Sequence, residues 1–177
     1  MTEGHGLSVL KPLKAESPAT RKSLIYDTFG EPVTSLKIGD RPLPPLAAGA
    51  LRVAMIYAPV NPSDLIPVTG AYSHRITLPE IAGYEGVGHV IDAAPGLENR
   101  IGERVLPLRG EGTWQSLVDV PAIYAVKVPR IIDDQIAARA YINPLAARTM
   151  LDLWPVGGKT VLLSGAGSSC ANFLGDW

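Results

Sequence analysis

Between Ser23 and Lys127 the apolar residues come in short runs cut by proline and glycine. Ser23 to Asp27 predicts a strand, ended by Phe29-Gly30-Glu31-Pro32. Ala50 to Ala58 predicts the clearest strand, because it is rich in Val, Ile, Met and Tyr. Pro42, Pro44 and Pro45 before it predict a loop, since proline does not sit inside a sheet. Gly86 to Ala93 predicts a strand closed by Pro95-Gly96. Arg104 to Leu108, Trp114 to Val120 and Tyr124 to Val128 follow at the spacing of a compact β barrel.

After Pro129 the period changes. Asp133 to Tyr141 has helical composition, with Asp133 able to cap its start. In Pro144 to Leu153, Leu145, Ala146, Thr149, Met150 and Leu153 fall at helical spacing, and Pro155 to Gly158 ends the run. Thr160 to Leu163 then predicts a strand running into Gly165-Ala166-Gly167, with a helix starting behind it. Strand, glycine turn and helix in that order open a nucleotide-binding βαβ unit. The expected order is a mainly-β barrel domain over 21–141, then a connector helix and an incomplete α/β dinucleotide domain over 142–177. Residues 1–20 show no apolar period and predict a flexible extension.

Composition narrows the classes. Of 177 residues, 46% are apolar and 19% charged, and the net charge of −1 offers no nucleic-acid surface. No apolar run reaches about 18 residues, so no membrane span is expected. The single cysteine, Cys170, excludes an internal disulfide framework and a multi-cysteine zinc site. Lys11, Lys14, Arg21 and Lys22 hint at a transit peptide, but Glu3 and Glu16 interrupt the basic bias and Pro12 and Pro18 break a helix. The expected location is cytoplasmic, with mitochondrial as the alternative.

Candidate chemistry lies in five pieces. Asn61-Pro62-Ser63-Asp64 follows the strongest strand and by itself reads as a capped strand-to-helix turn. Gly70-Ala71-Tyr72 and Gly83-Tyr84-Glu85-Gly86-Val87-Gly88 come next. Gly112-Thr113-Trp114 and Ile142-Asn143-Pro144-Leu145-Ala146 complete the set. In this order, from Ser23 to Ala171, they resemble the medium-chain dehydrogenase/reductase superfamily, nearest to its zinc-free enoyl thioester reductases and quinone-reductase-like members. The resemblance implies a GroES-like catalytic barrel followed by a Rossmann domain, here cut early. It implies an NADPH-dependent reduction of an activated C=C bond in fatty acid metabolism, on a 2-enoyl thioester or, alternatively, a quinone. Hydride comes from the nicotinamide, and Tyr72 protonates the α carbon. Asn61, Trp114 and Asn143 would line the pocket, and Gly165, Gly167, Ser168 and Ser169 would form part of the cofactor site. Such relatives act on small molecules and form dimers, so a homodimer is one expected assembly.

The zinc enzymes of that superfamily place cysteine at Asn61 and histidine at Tyr84. Neither residue present is a good Zn²⁺ ligand, so no zinc is expected. His74 and His89 read as ordinary surface or barrel histidines. Trp114 reads equally well as a core aromatic, and Glu85 as a buried carboxylate paired with an arginine. Tyr72 alone would read as a packed ring with a wet hydroxyl. A strand with both edges open is unstable, which leaves three readings of the chain. It is a reductase half that binds dinucleotide poorly and lacks turnover by itself, a non-redox binding or acid/base module, or an inactive remnant.

Overall fold

The computed structural model describes residues 20–109, 112–154 and 156–177. The extension expected over 1–20 lies outside the described residues, Thr20 excepted. Two antiparallel sheets make the barrel. β1 (Thr20–Tyr26) is flanked by β2 (Lys37–Pro42) and β4 (Glu80–Ile81). The second sheet has the order β7-β3-β5-β6-β8, built from β3 (Ala50–Tyr57), β5 (Val87–Ala93), β6 (Arg104–Pro107), β7 (Leu117–Pro121) and β8 (Ala125–Lys127). A bridge between Ser23 and Gln115 joins the sheets. Leu24 N–H donates to the Trp114 carbonyl at 2.8 Å and Ser116 N–H to that of Lys22 at 2.8 Å.

Alternation along the strands explains the core. Leu51 and Val53 of β3 meet Val90, Val105, Val120 and Ala125 from the neighbouring strands. Between them, Arg52 faces the other way and is still buried. Its guanidinium grips Asp119, directly opposite on β7, through Nε and Nη2 at 2.8 Å each, and Nη2 also reaches the Pro44 carbonyl at 2.6 Å. The paired charge and the spent donors make that burial tolerable. A second cluster, Val87, Leu106, Val128, Ala137 and Ala138, seats the start of the connector on the barrel. Arg104 ties the same junction to Asp134 at 2.6 Å and to the Pro129 and Ile132 carbonyls. A third cluster joins Tyr26, Val68 and Ala82 to Phe29 and Trp114.

Short helices punctuate the strands: α1 (Pro32–Ser35) and α2 (Pro62–Leu65). The connector carries α3 (Asp134–Ala137) and α4 (Ile142–Leu153), and α5 (Ser169–Asp176) packs against α4. Asp133 caps α3 as its sequence implies, its Oδ1 accepting from Gln135 N–H at 2.8 Å.

Two expectations need correction. Pro42 is not in a loop but ends β2, opposite Thr20. β2 is an edge strand, where a missing N–H on the open side costs nothing. Thr160–Leu163 is not a strand: it is irregular, and Leu162 is 95% exposed. A strand needs a partner ladder, and no described strand lies alongside it. The apolar residues of α4 are likewise open, with Leu145 and Leu153 more than half exposed.

Tyr26 carries a testable consequence. Burial, then the nearby Glu80 and Tyr84, push its phenol up to about 12. An acid whose pKa is raised by folding adds stability below its unfolded value and loses it above. Stability to urea should therefore hold up to about pH 10 and fall toward about pH 12. Tyr26→Phe should flatten that fall; an unchanged alkaline profile in the variant would contradict the assignment.

Candidate active site

β3 ends at Tyr57 and the chain turns through Pro59–Val60 into α2. Asn61 is the N-cap of α2, with Pro62 at the first helical position, where its missing N–H costs nothing. Asp64 closes a capping box: its Oδ2 accepts Asn61 N–H at 2.7 Å, and its Oδ1 accepts Tyr84 N–H at 3.1 Å. Burial pushes the Asp64 carboxyl up, against those two hydrogen bonds, and the adjacent Glu85 adds to the rise. Glu85, 2% exposed, accepts Asn61 Nδ2 at 2.9 Å and Ile142 N–H at 2.9 Å. The arginine expected for Glu85 is replaced by an amide and a helix N-terminus, since both carboxylate oxygens are taken by neutral donors.

These contacts bring Asn61 and Asn143 to one cleft of about 730 Å³. Its walls are Pro59–Ser63 on the barrel side and Arg139, Asn143 and Gly167–Cys170 on the other. Ser168 caps α5, its Oγ accepting Ala171 N–H at 3.2 Å. Gly165 adopts φ 65°, a left-handed turn that favours glycine, and a Cβ on Gly165 or Gly167 would meet open space. The turn is therefore approachable by a ligand. Arg139 stands across it and donates from Nη2 to Ser169 Oγ. Arg139 was not singled out from the sequence; its only local signal was a basic residue just before the Asn143 motif.

The remaining candidates lie elsewhere. Gly165 is outside the cleft lining. Tyr72 ends a left-handed turn at Gly70 (φ 90°), is 38% exposed, and has the Arg75 guanidinium 4.8 Å above its ring. The nearby Tyr84 phenol is pushed up chiefly by burial and then by Glu80 and Asp64, against the opposing charge of Arg75. Tyr84 lines a neighbouring pocket of about 530 Å³ with Arg75, Arg109 and Tyr141. Trp114 spends its indole N–H on the Pro59 carbonyl at 3.0 Å and packs against Gly83. It lines a shallow groove with Met55 to Ala58 rather than the Asn61 cleft. Gly83 has φ 91°, and a Cβ there would overlap the Trp114 ring and lie 2.6 Å from Thr113 Oγ1. His74 and His89 are both exposed, on a 3-10 turn and on β5. Among the described residues no helix is long and apolar enough to cross a membrane.

Residues 47–130, the stretch from β3 to β8, match the alcohol dehydrogenase GroES-like domain. The chain belongs to the medium-chain dehydrogenase/reductase superfamily, in its enoyl reductase and quinone oxidoreductase branch. The human mitochondrial enoyl-[acyl-carrier-protein] reductase is 30% identical over 149 residues, 83% of this chain and 40% of the relative. A Bacillus thuringiensis protein named as an NADPH:quinone reductase has a crystal structure that is 42% identical with a TM-score of 0.81, covering 88% of this chain and 48% of that one. A mycobacterial protein solved with NADPH is 27% identical with a TM-score of 0.77, covering 87% and 48%. The chain thus spans under half the length of each of these three superfamily members.

The Asp64 hydrogen bonds make a prediction. In Asp64→Asn one amide N–H must oppose a backbone N–H donor. The variant should lose about 1–3 kcal/mol in urea unfolding despite removing a buried charge. Equal or greater stability would mean that the charge, not the acceptor pair, dominates the site.

Proposed function

We propose that this chain supplies the substrate-side half of an NADPH-dependent reductase acting on an activated C=C bond, with a 2-enoyl thioester as substrate. The observation that carries the reading is the convergence of Asn61, Asn143 and Gly167–Ser169 on one cleft from segments far apart in sequence. A barrel wall carrying Asn61 and Ser63 faces a glycine turn at a helix start, the arrangement a dinucleotide site requires.

The residues fit the cofactor. Open space over Gly165 and Gly167 admits a diphosphate to the backbone. The N-terminus of α5 and the Arg139 guanidinium both favour its charge. NADPH bound there supplies a hydride. The mycobacterial relative carries NADPH, which supports the phosphorylated form of the cofactor.

Tyr72 is the proton donor in this reading. A phenol stays protonated at neutral pH and gives its proton without metal assistance. Arg75, stacked over the ring, stabilises the negative charge that donation leaves behind. Zinc has no place in the scheme because of the donor chemistry. The Asn61 amide nitrogen is already donating to Glu85, and burial keeps the Tyr84 phenol protonated.

The human relative's name supports an enoyl thioester and a mitochondrial location, the alternative to the cytoplasm. The higher identity of the Bacillus protein gives the quinone reading its support. The assay is loss of reduced-nicotinamide absorbance with a crotonyl thioester and, separately, with a quinone. In a protein that joins this half to a complete cofactor domain, the reading expects crotonyl-dependent oxidation that Tyr72→Phe lowers by about two orders of magnitude or more, and little turnover by the chain alone. Oxidation with quinone alone would favour the quinone reductase. No oxidation with either, in that joined protein, would favour a non-redox module or an inactive remnant.

A further inference from the structure

The cleft has two walls from different parts of the chain. One is the turn that leaves β3; the other is the connector that opens α4, with the glycine turn beyond it. Local sequence in either wall does not set the distance between them. Glu85, which is not among the cleft-lining residues, touches both. Its Oε1 accepts the Asn61 side-chain N–H and its Oε2 the Ile142 N–H, each at 2.9 Å. These partners lie 24 residues before it and 57 residues after it.

The chemistry selects a glutamate. An ionised carboxylate is acceptor-only and has two oxygens, so it meets two donors arriving from opposite sides. A glutamine turns one of its ends into a donor, and an aspartate is one methylene shorter. Ile142 is the first residue of the twelve-residue α4, so its N–H has no acceptor within the helix. Glu85 satisfies that N–H and places negative charge at the helix N-terminus, where the peptide dipoles favour it. Burying the carboxylate would be costly without both bonds, so neither wall separates from it cheaply.

We propose that Glu85 is a positioning residue that sets the spacing of the cleft, pinning the Asn61 turn and the first turn of α4, which carries Asn143, to one buried carboxylate. The identity of the ligand, NADPH, rests on the function proposed above. Asp64 holds the Asn61 turn independently through its own two hydrogen bonds. Loss of Glu85 therefore frees mainly the α4 wall.

The test is amide exchange and NADPH titration by NMR on the whole chain. In Glu85→Gln, Ile142 should exchange about tenfold faster or more, while Leu51 and Val53 in β3 keep their protection. The NADPH dissociation constant should rise by about tenfold or more. The double variant Asn61→Asp with Glu85→Gln reverses the polarity of the pair. The introduced amide donates to the introduced carboxylate and its carbonyl still accepts Ile142 N–H. Slow exchange at Ile142 should return. Unchanged exchange and affinity in Glu85→Gln overturns the proposal. So does an equal loss of protection in β3, or failure of the double variant to restore Ile142. If Glu85→Gln does not fold, a folded double variant with slow Ile142 exchange supports the pairing and an unfolded one overturns it. If NADPH leaves the resonances of Asn61, Asn143 and Ser169 unmoved in the parent chain, the cofactor cleft is wrong, while the exchange data still decide the role of Glu85.

Discussion

The structure around the cleft depends on one constraint: two carboxylates buried side by side must each find two donors. Asp64 and Glu85 are 1% and 2% exposed. Buried charge without hydrogen bonds costs more than a small domain can spare. Their donors are Asn61 twice, through backbone and side chain, and the backbone of Tyr84 and Ile142. Satisfying the pair draws the end of β3, the entry to β5 and the start of α4 to one point. That point is where the barrel meets the connector, and the cleft opens beside it. The chemistry of the site thus follows from a solvation requirement inside the fold.

Much of the barrel was legible because its strands are bounded by residues with strong local preferences. Ala50–Tyr57 and Val87–Ala93 lie within a residue or so of where apolar runs and flanking turns place them. The Asp133 cap followed from its side chain alone. What failed was non-local. β2 was hidden because Pro42 reads as a loop until its edge position is known. β4 is two residues long, too short for any period to show. Thr160–Leu163 has strand composition, but no described strand lies alongside it, and composition alone does not reveal whether a strand finds a partner.

The candidate site was legible in its parts and not in its assembly. The motif pieces marked Asn61, Asn143 and the glycine turn, and one cleft receives all three. They did not reveal that Tyr72 stands apart under Arg75, or that the Trp114 indole is held by the Pro59 carbonyl. Glu85 read as the partner of an arginine because a lone buried carboxylate usually needs a cation. Two neutral donors, one of them at a helix start, serve instead. Nothing in the residues adjacent to Glu85 points to a partner 57 positions away.

The proposed function has Asn61, Asn143 and the glycine turn face one ligand. The most direct measurement is a crystal structure of the chain grown with NADPH at saturating concentration. The account predicts nucleotide density in the cleft lined by Asn61, Asn143 and Ser169, with the Asn61–Glu85–Ile142 hydrogen bonds intact. Density in the Trp114 groove instead, or an empty cleft at saturation, would contradict it.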